Sequence, residues 1–473
     1  MQDYNPILNV DSYKTSHYLQ YPEGTQYVSS YIESRGGQFK EAVFFGLQAF
    51  IKQYLSQPIT RNDIEEAEEL CLAHGVPFNR AGWEYILEAH QGYLPIEIQA
   101  VPEGTVVPVQ NVLAQVVNTD PKCFWITSYV ETALLRAIWY PTTVATQSRE
   151  AKKIIQRYLE ETADTLDGLP FKLHDFGARG ASSGETAALG GLAHLVNFQG
   201  TDTVAALVAG RRFYNAPMAG FSIPAAEHST MTSWGREHET EAYANMLTQF
   251  TGDGRVVAVV SDSYNLWNAI DNIWGGELKE RVENNGGTLV IRPDSGDPVD
   301  VVTQTIERLM RIFGARINSK GYRVLPDYIR VIQGDGISLH TIEGILAAMK
   351  ARKQSADNIA FGMGAELLQK VHRDTMKFAM KASAVRVNGL WRDVFKDPVT
   401  DTGKRSKKGR LALIRRGNGE LRTIREQDLG NRQNLLQPVF RNGKLLTEQS
   451  LEDIRRRAAV PHNEDELVMA AVS

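Results

Sequence analysis

TLVIRPDSGDPVDVVTQTIERLMRIFG, residues 288–314, begins with an apolar run, TLVIRPD, that ends in charge. It then passes into VVTQTIERLMRIFG, whose apolar residues recur at helical spacing. A short buried strand followed by an amphipathic helix is the βα unit of a parallel sheet. Working outward, the same texture recurs from about residue 171. Strand-like runs are FKLHDFG (171–177), LVNFQGTD (195–202), GFSIPAA (220–226), VVAVVSD (256–262), TLVIRPD (288–294), YIRVIQGD (328–335) and NIAFGMG (358–364). Helical stretches such as LHTIEGILAAMKARK separate several of them. About seven βα units favour closure into a barrel, with an open sheet as the alternative.

The flanks read differently. IEEAEELCLAH (64–74) is a helix, and residues 94–119 alternate apolar and polar positions around Pro-Glu-Gly turns, as strands and hairpins do. The segment from Pro121 to Thr162 is helical, with a break at Pro141 near its middle. After about 378, ASAVRVNGLWRDVFKD and RLALIRRGNGELRTI read as hairpins, the second around Asn-Gly. The organisation expected is therefore an α/β barrel over 151–377 and a mixed α+β domain from 1–150 and 378–473.

The 473-residue chain is ordinary in composition, 42% hydrophobic and 23% charged, with a net charge of −4. That leaves no global basic field for nucleic acid. Cys71 and Cys123 form no CxxC pair, so neither a zinc site nor a disulfide framework is indicated, and a reducing cytoplasm suits them. No basic-then-apolar leader is visible at the start, and no apolar run is long enough to span a bilayer.

Polar residues fall at the carboxyl ends of the candidate strands: His174 and Asp175, Asp202, Ser222 with His228 just beyond, Asp262, Arg292 and Asp294, Gly334 and Asp335, Gly362 and Gly364. In a parallel barrel those ends share one face, where active sites sit. Any one acid there is what a helix N-cap needs; the repetition around the sheet argues for a site. GDGIS (334–338) and FGMGAELL (361–368) follow strands and open helices, where backbone N–H groups bind phosphate, although each is equally a tight βα turn. Neither is a P-loop or a GxGxxG fingerprint. Arg35, Arg179, Arg292, Arg373 and KRSKKGR (404–410) add cations, and the last alone is what a solvated loop carries. Acids, arginines and phosphate-type turns suit a phosphosugar that loses pyrophosphate: carboxylates stabilise an oxocarbenium-like ribose, while cations and Mg²⁺ stabilise the leaving group. An aromatic platform would hold a flat acceptor.

NVDSYKTSHYLQYPEGT, KLHDFGARGASS, NFQGTDTVA, SIPAAEHSTMTSWG, VVSDSYN, IRPDSGDP, VIQGDG and KDPVTDTGKRSKKGRL, in this order over nearly the whole chain, closely resemble the nicotinamide phosphoribosyltransferase family. The resemblance implies a type II phosphoribosyltransferase: an irregular α/β barrel plus a mixed domain from both chain ends, in a homodimer with shared active sites. It implies synthesis of nicotinamide mononucleotide and pyrophosphate from nicotinamide and 5-phosphoribosyl 1-pyrophosphate. Mg²⁺ would be the metal, and ATP hydrolysis would be coupled through a phosphohistidine. By motif, Phe176 would stack on the pyridine ring and Tyr13 would cover it from the partner subunit. Asp202 would accept from the carboxamide, favouring nicotinamide over nicotinate. Arg179 and Arg292 would hold the product, with Ser222 and Ala225 among the substrate-binding residues. His228 would carry the phosphoryl group, with Asp262 and Asp294 around ribose and pyrophosphate and holding the metal, through water or directly. Gly334, Asp335 and Gly364 would bind ribose and 5′-phosphate. Arg35, Arg373, Lys381, Lys396 and Lys404 would bind pyrophosphate or ATP phosphates. His174 and Asp175 are read as support rather than as an acid–base pair.

The turn FGMGAELLQK departs from the family's pattern, because Ala365 and Glu366 stand where further glycines are common. Nicotinate and quinolinate phosphoribosyltransferases share the architecture, but Asp202 opposes their carboxylate acceptors. A non-catalytic binding protein would not need these acids, His228 and arginines together. An aldolase-type barrel would need a Schiff-base lysine at a strand end, for which Lys172 is the candidate.

Overall fold

The computed structural model describes residues 5–398, 400 and 405–461. The chain divides into two compact units. Of the described residues, one holds 147–208, 217–371, 460 and 461; the other holds 5–146, 209–216 and those between 372 and 459.

The first of these is built on a six-stranded sheet. Its strands are β1 (Leu173–Asp175), β2 (Gly200–Thr201), β3 (Val256–Val260), β4 (Thr288–Arg292), β5 (Ile329–Gln333) and β6 (Ile359–Met363). They lie in the order β2-β1-β6-β5-β4-β3, every pair parallel. Near-continuous apolar strands are what a sheet covered on both faces requires; Val257, Val259, Leu289, Ile291, Val331 and Phe361 are all fully buried. The opening stretch forms β4 and the helix Pro298–Phe313. Asp297 caps that helix by accepting from the backbone N–H of Val299 and Asp300, and proline takes the first position, where no N–H is needed. Val302, Ile306, Leu309, Met310 and Phe313 form its buried stripe.

Two of the expected strands are shorter or absent. In 195–202 only Gly200–Thr201 is strand, because the preceding residues finish the helix Gly184–His194 in a series of turns. Segment 220–226 is not a strand. It makes one isolated parallel bridge to each edge of the sheet, Phe221 to Gly200 and Ala225 to Ala258. Pro224 lacks an N–H for a ladder, but its carbonyl still accepts from Ala258 N at 3.0 Å.

The second unit carries a seven-stranded antiparallel sheet drawn from both ends of the chain, in the order 390–393, 378–387, 25–34, 112–118, 96–100, 437–441, 444–445. Both expected hairpins are present: Phe378–Val387 pairs with Leu390–Asp393, and Leu411–Arg415 with Leu421–Arg425. Pro141 does not break the helix Glu131–Thr162, which continues through it. Proline removes a helical hydrogen bond and crowds the preceding turn, but tertiary contacts hold this helix face. Thr142 Oγ1 accepts from Phe45 N (3.2 Å) and Thr146 Oγ1 from Val43 N (2.9 Å). Gly46, at φ +104°, admits the proline ring; a Cβ there would stand 2.3 Å from Pro141 Cγ.

Candidate active site

At the carboxyl edge of the parallel sheet, Asp262 follows β3, and Arg292, Asp294 and Ser295 end and follow β4. His228 opens the short helix His228–Thr232. Its Nε2 lies 2.8 Å from Asp262 Oδ1, and its Nδ1 is 3.9 Å from Asp294 Oδ2. The second oxygen of Asp262 accepts from Asp294 N (3.2 Å) and Ser295 Oγ (2.6 Å). Asp262 is thus fully engaged and its side chain only 5% exposed, whereas the His228 ring is 43% exposed. An ionised Asp262 accepts from Nε2–H, which leaves the Nδ1 lone pair free.

Asp294 is less firmly held. Arg292 Nε is 3.6 Å from its Oδ1, and that buried Nε makes no hydrogen bond. Burial raises the Asp294 pKa; Arg292 and His228 pull it down, and Asp262 and Asp335 push it up again, for a net rise. Asp262 and Asp335 thus act on Asp294 electrostatically, and the Arg292 Nε beside it is an unused donor.

The KLHDFG stretch supplies a second face. Phe176 N donates to Met363 O at 2.9 Å, so the ring is carried by the β1–β6 edge. The ring packs on the cluster Ala258, Val290 and Ile332. It also lies over Gly362, where a Cβ would come within 2.0 Å of Phe176 Cε2, and near Gly334 at 3.4 Å. Glycine at 362 is what gives the ring its place; at 334 a Cβ would make only ordinary contact with it. Asp175 is buried; its Oδ1 accepts from Gly177 N (2.7 Å) and its carbonyl from Asp202 N (3.0 Å). Burial raises its pKa and lowers that of His174, which leaves His174 neutral at pH 7. Asp202 itself is exposed and accepts from Ser222 Oγ at 2.6 Å.

Arg179, Ala225 and Asp335 are exposed, and Gly334 and Gly364 are half-buried. Ala365 does not take a positive φ, and Glu366 pairs with Lys370 at 2.7 Å, so that acid is neutralised within its own helical turn. Lys172 precedes β1, at the opposite end from these residues. Its Nζ donates to Asp357 O (2.8 Å) and Oδ1 (3.3 Å), which removes it as a free Schiff-base amine.

In the antiparallel unit, Tyr13 is 59% exposed and meets His17 edge-on. Lys381 lies amid charge. Burial lowers its pKa, Glu131 opposes this, and Arg35, Lys14 and Lys396 lower it further, so these four cations share one neighbourhood. Lys14 is buried against Glu131 (2.6 Å); Arg35 Nε is 3.3 Å from Glu33 Oε1, and its Nη2 is buried without a hydrogen bond. Arg373 is exposed and paired with Asp374 at 3.1 Å. Lys404 lies outside the described residues. Sequence reading missed Lys14, Glu131 and Glu33. The nearest signal for Lys14 is its place in VDSYK beside Tyr13, while Glu131 is 117 positions away and carries no local mark.

The fold is one that solved structures share. It superposes on the crystal structure of nicotinate-nucleotide pyrophosphorylase from Pyrococcus furiosus with a TM-score of 0.61 at 16% identity, covering 96% of this chain and 94% of that one. The chain belongs to the nicotinate phosphoribosyltransferase (NAPRTase) family, whose model matches residues 171–444; residues 5–98 match the nicotinamide phosphoribosyltransferase N-terminal domain. It is 55% identical over 460 residues to a nicotinamide phosphoribosyltransferase of Xanthomonas campestris pv. campestris, covering 96% of this chain and 98% of that protein. It is 33% identical over 492 residues to a nicotinamide phosphoribosyltransferase of Acinetobacter baylyi, covering 96% and 97%.

Proposed function

We infer that this chain is a nicotinamide phosphoribosyltransferase, a pentosyltransferase of NAD biosynthesis. The pyridine nitrogen of nicotinamide bonds to ribose C1 of 5-phosphoribosyl 1-pyrophosphate as the C1–O bond to pyrophosphate breaks. The relatives carry the reaction class, and one observation carries the choice of acceptor: Asp202, exposed at the strand edge and steadied by Ser222. A carboxylate accepts a hydrogen bond from a carboxamide N–H and repels a carboxylate, which turns the acceptor's charge into selectivity. Phe176 offers the platform for the ring.

Asp294, with Asp262 and Asp335 near enough to act on it, is the residue set assigned to a hydrated Mg²⁺: the donors are all oxygen, and burial first, then the neighbouring carboxylates, raises the Asp294 pKa. Bound there, the metal would neutralise charge developing on pyrophosphate. The free Nε–H of Arg292 supports an anion role for that side chain, and Arg179 stands exposed as a second product contact. Gly334, Asp335 and Gly364 complete the ribose and 5′-phosphate reading, with Ala225 alongside. The cations Arg35, Lys381 and Lys396, with Arg373 and Lys404, are assigned to pyrophosphate or ATP phosphates.

ATP coupling belongs to the same reading. His228 Nδ1 would take the γ-phosphoryl group of ATP, releasing ADP, while Asp262 holds Nε2–H and stabilises the charged ring. A homodimer with Tyr13 contributed to the partner's site agrees with that ring's exposure. The two isolated bridges of 220–226 support an irregular barrel of about seven parallel segments. Free, buried Cys71 and Cys123 accord with a cytoplasmic setting, and no helix among the described residues is long and apolar enough to cross a membrane.

The test compares acceptors. Purified protein with 5-phosphoribosyl 1-pyrophosphate and Mg²⁺ releases pyrophosphate with nicotinamide and far less with nicotinate. Equal or reversed rates remove the role given to Asp202.

A further inference from the structure

The hairpin Leu411–Arg415/Leu421–Arg425 and its surroundings line a surface cavity of about 740 Å³, within the roughly 300–1,000 Å³ of small-molecule sites. Seven cations line it: Lys407, Lys408, Arg415, Arg416, Arg422, Arg425 and Arg432, against one acid, Asp428. Like charges gathered in one concavity repel, and a chain with net charge −4 does not produce such a patch by composition.

Partners account for only part of this charge. Lys407 pairs with Glu33, Arg416 with Glu420 and Arg425 with Asp393. Lys408, Arg415, Arg422 and Arg432 have no acidic partner among the described residues. Arg415 and Arg432 spend N–H groups on backbone carbonyls, and Lys408 lies over the Phe395 ring. Arg425 keeps a buried Nε with no hydrogen bond.

The cavity is not purely polar. Leu411 and Ile414 are buried and Ile424 is half-buried along its lining. Register places Ile414 opposite Arg422 and Ala412 opposite Ile424, so Ile414, Arg422 and Ile424 share one face of the hairpin. Of the unpaired cations, Arg422 therefore stands on the apolar face, while Arg415, paired with Leu421, alternates to the other.

We propose that this hairpin cavity is a binding site for a small organic polyphosphate, a nucleotide with two or more phosphates. Its phosphates are held by Lys408, Arg422 and Arg432, and its nucleoside rests on Ile424, the half-buried apolar residue beside Arg422. Arginine suits phosphate through paired N–H donors. A concave site with apolar side chains beside its cations fits a small ligand better than the long, flat track of a nucleic acid.

The experiment titrates intact protein with ADP and with pyrophosphate by calorimetry, and compares the wild type with Arg422→Glu/Arg432→Glu. Both residues are exposed and neither has a place in the catalytic reading, so nicotinamide turnover without added nucleotide stays unchanged. The wild type is expected to show an ADP-binding step that weakens at least tenfold in the variant and falls with rising salt, as expected for lost charge-assisted contacts. Arg422→Lys/Arg432→Lys retains most of it. Arg422→Gln/Arg432→Gln replaces the Glu pair if that protein does not fold. ADP is expected to bind this step about tenfold more tightly than pyrophosphate, because only ADP covers Ile424. Superimposable ADP isotherms for wild type and variant overturn the site. Equal affinity for ADP and pyrophosphate overturns the nucleoside assignment.

Discussion

His228 Nε2 and Asp262 Oδ1 lie 2.8 Å apart, and the other oxygen of Asp262 is bound by Asp294 N and Ser295 Oγ. One carboxylate thus fixes the tautomer of the histidine and ties it to the chain after β4. Asp262→Asn replaces one acceptor oxygen by an N–H₂ group. An amide donor turned toward Asp294 N–H meets another donor, and one turned toward Nε2 moves the ring proton to Nδ1 and removes the lone pair that would take the phosphoryl group. The expected outcome is a fall of about 10²–10⁴ in ATP-coupled turnover, with a smaller fall in synthesis without ATP. The two rates measured side by side check this, and an equal loss in both argues against a phosphoryl role for His228.

Asp202 and Ser222 give a prediction about choice of acceptor rather than rate alone. Asp202→Asn removes the charge that repels nicotinate. The ratio of kcat/KM for nicotinamide over nicotinate is expected to drop by about tenfold, roughly 1.4 kcal/mol of lost discrimination between amide and carboxylate. Ser222→Ala frees the carboxylate without removing it, so KM for nicotinamide rises while the preference for amide over acid survives. Competition between the two acceptors in one reaction reads both effects.

Gly362 and Phe176 make a steric prediction. A Cβ on Gly362 would fall 2.0 Å from Phe176 Cε2, inside any van der Waals contact. Gly362→Ala therefore moves the ring or the strand, at a cost of about 1–3 kcal/mol of stability for an overpacked position. KM for nicotinamide is expected to rise more than KM for the phosphoribosyl donor, because the ring that is displaced is the acceptor's platform. Thermal unfolding and the two KM values check this.

How far the sequence carried these arguments differs from residue to residue. The unit at 288–314 was legible because a buried parallel strand and an amphipathic helix each impose a period, and Asp297-Pro298 marks the start of the helix. The two late hairpins were legible from alternation. Segment 220–226 read as a strand because its residues are apolar, but Pro224 denies it a regular ladder and leaves two isolated bridges. Pro141 read as a break because proline is a local signal, whereas Thr142, Thr146 and Gly46 act through space. At the candidate site, strand-end acids were visible as positions. Which of them point to His228, and which, like Asp175, hold the loop from beneath, is set by packing that no local pattern records. The Lys14–Glu131 pair is invisible for the same reason.

At the other end of the sheet, Lys172 and Asp357 give a pH-dependent prediction. Burial would raise the Asp357 pKa, but Lys172 and Arg330 outweigh it and hold the carboxyl below the usual aspartate value. A carboxylate with a depressed folded pKa contributes stability above its unfolded pKa, near 3.8, and loses that contribution as pH falls through the lower folded value. Asp357→Asn leaves the buried Lys172 ammonium with the residue 357 backbone carbonyl but without its carboxylate, and is expected to cost about 1 kcal/mol at pH 7, because Asp357 is 35% exposed and solvent screens its side of the pair. Below the folded pKa wild-type Asp357 is itself neutral, so the difference between the two proteins should shrink as the pH is lowered below about 3.8. Denaturant unfolding of both proteins from pH 7 down to the lowest pH at which they remain folded measures this. A gap that stays constant across that range places the cost in lost hydrogen-bond geometry rather than in charge. Because Lys172 lies before β1, away from Asp262 and His228, kcat at pH 7 and moderate temperature should be nearly unchanged in Asp357→Asn, which separates the stabilising end of the sheet from the end that does the chemistry.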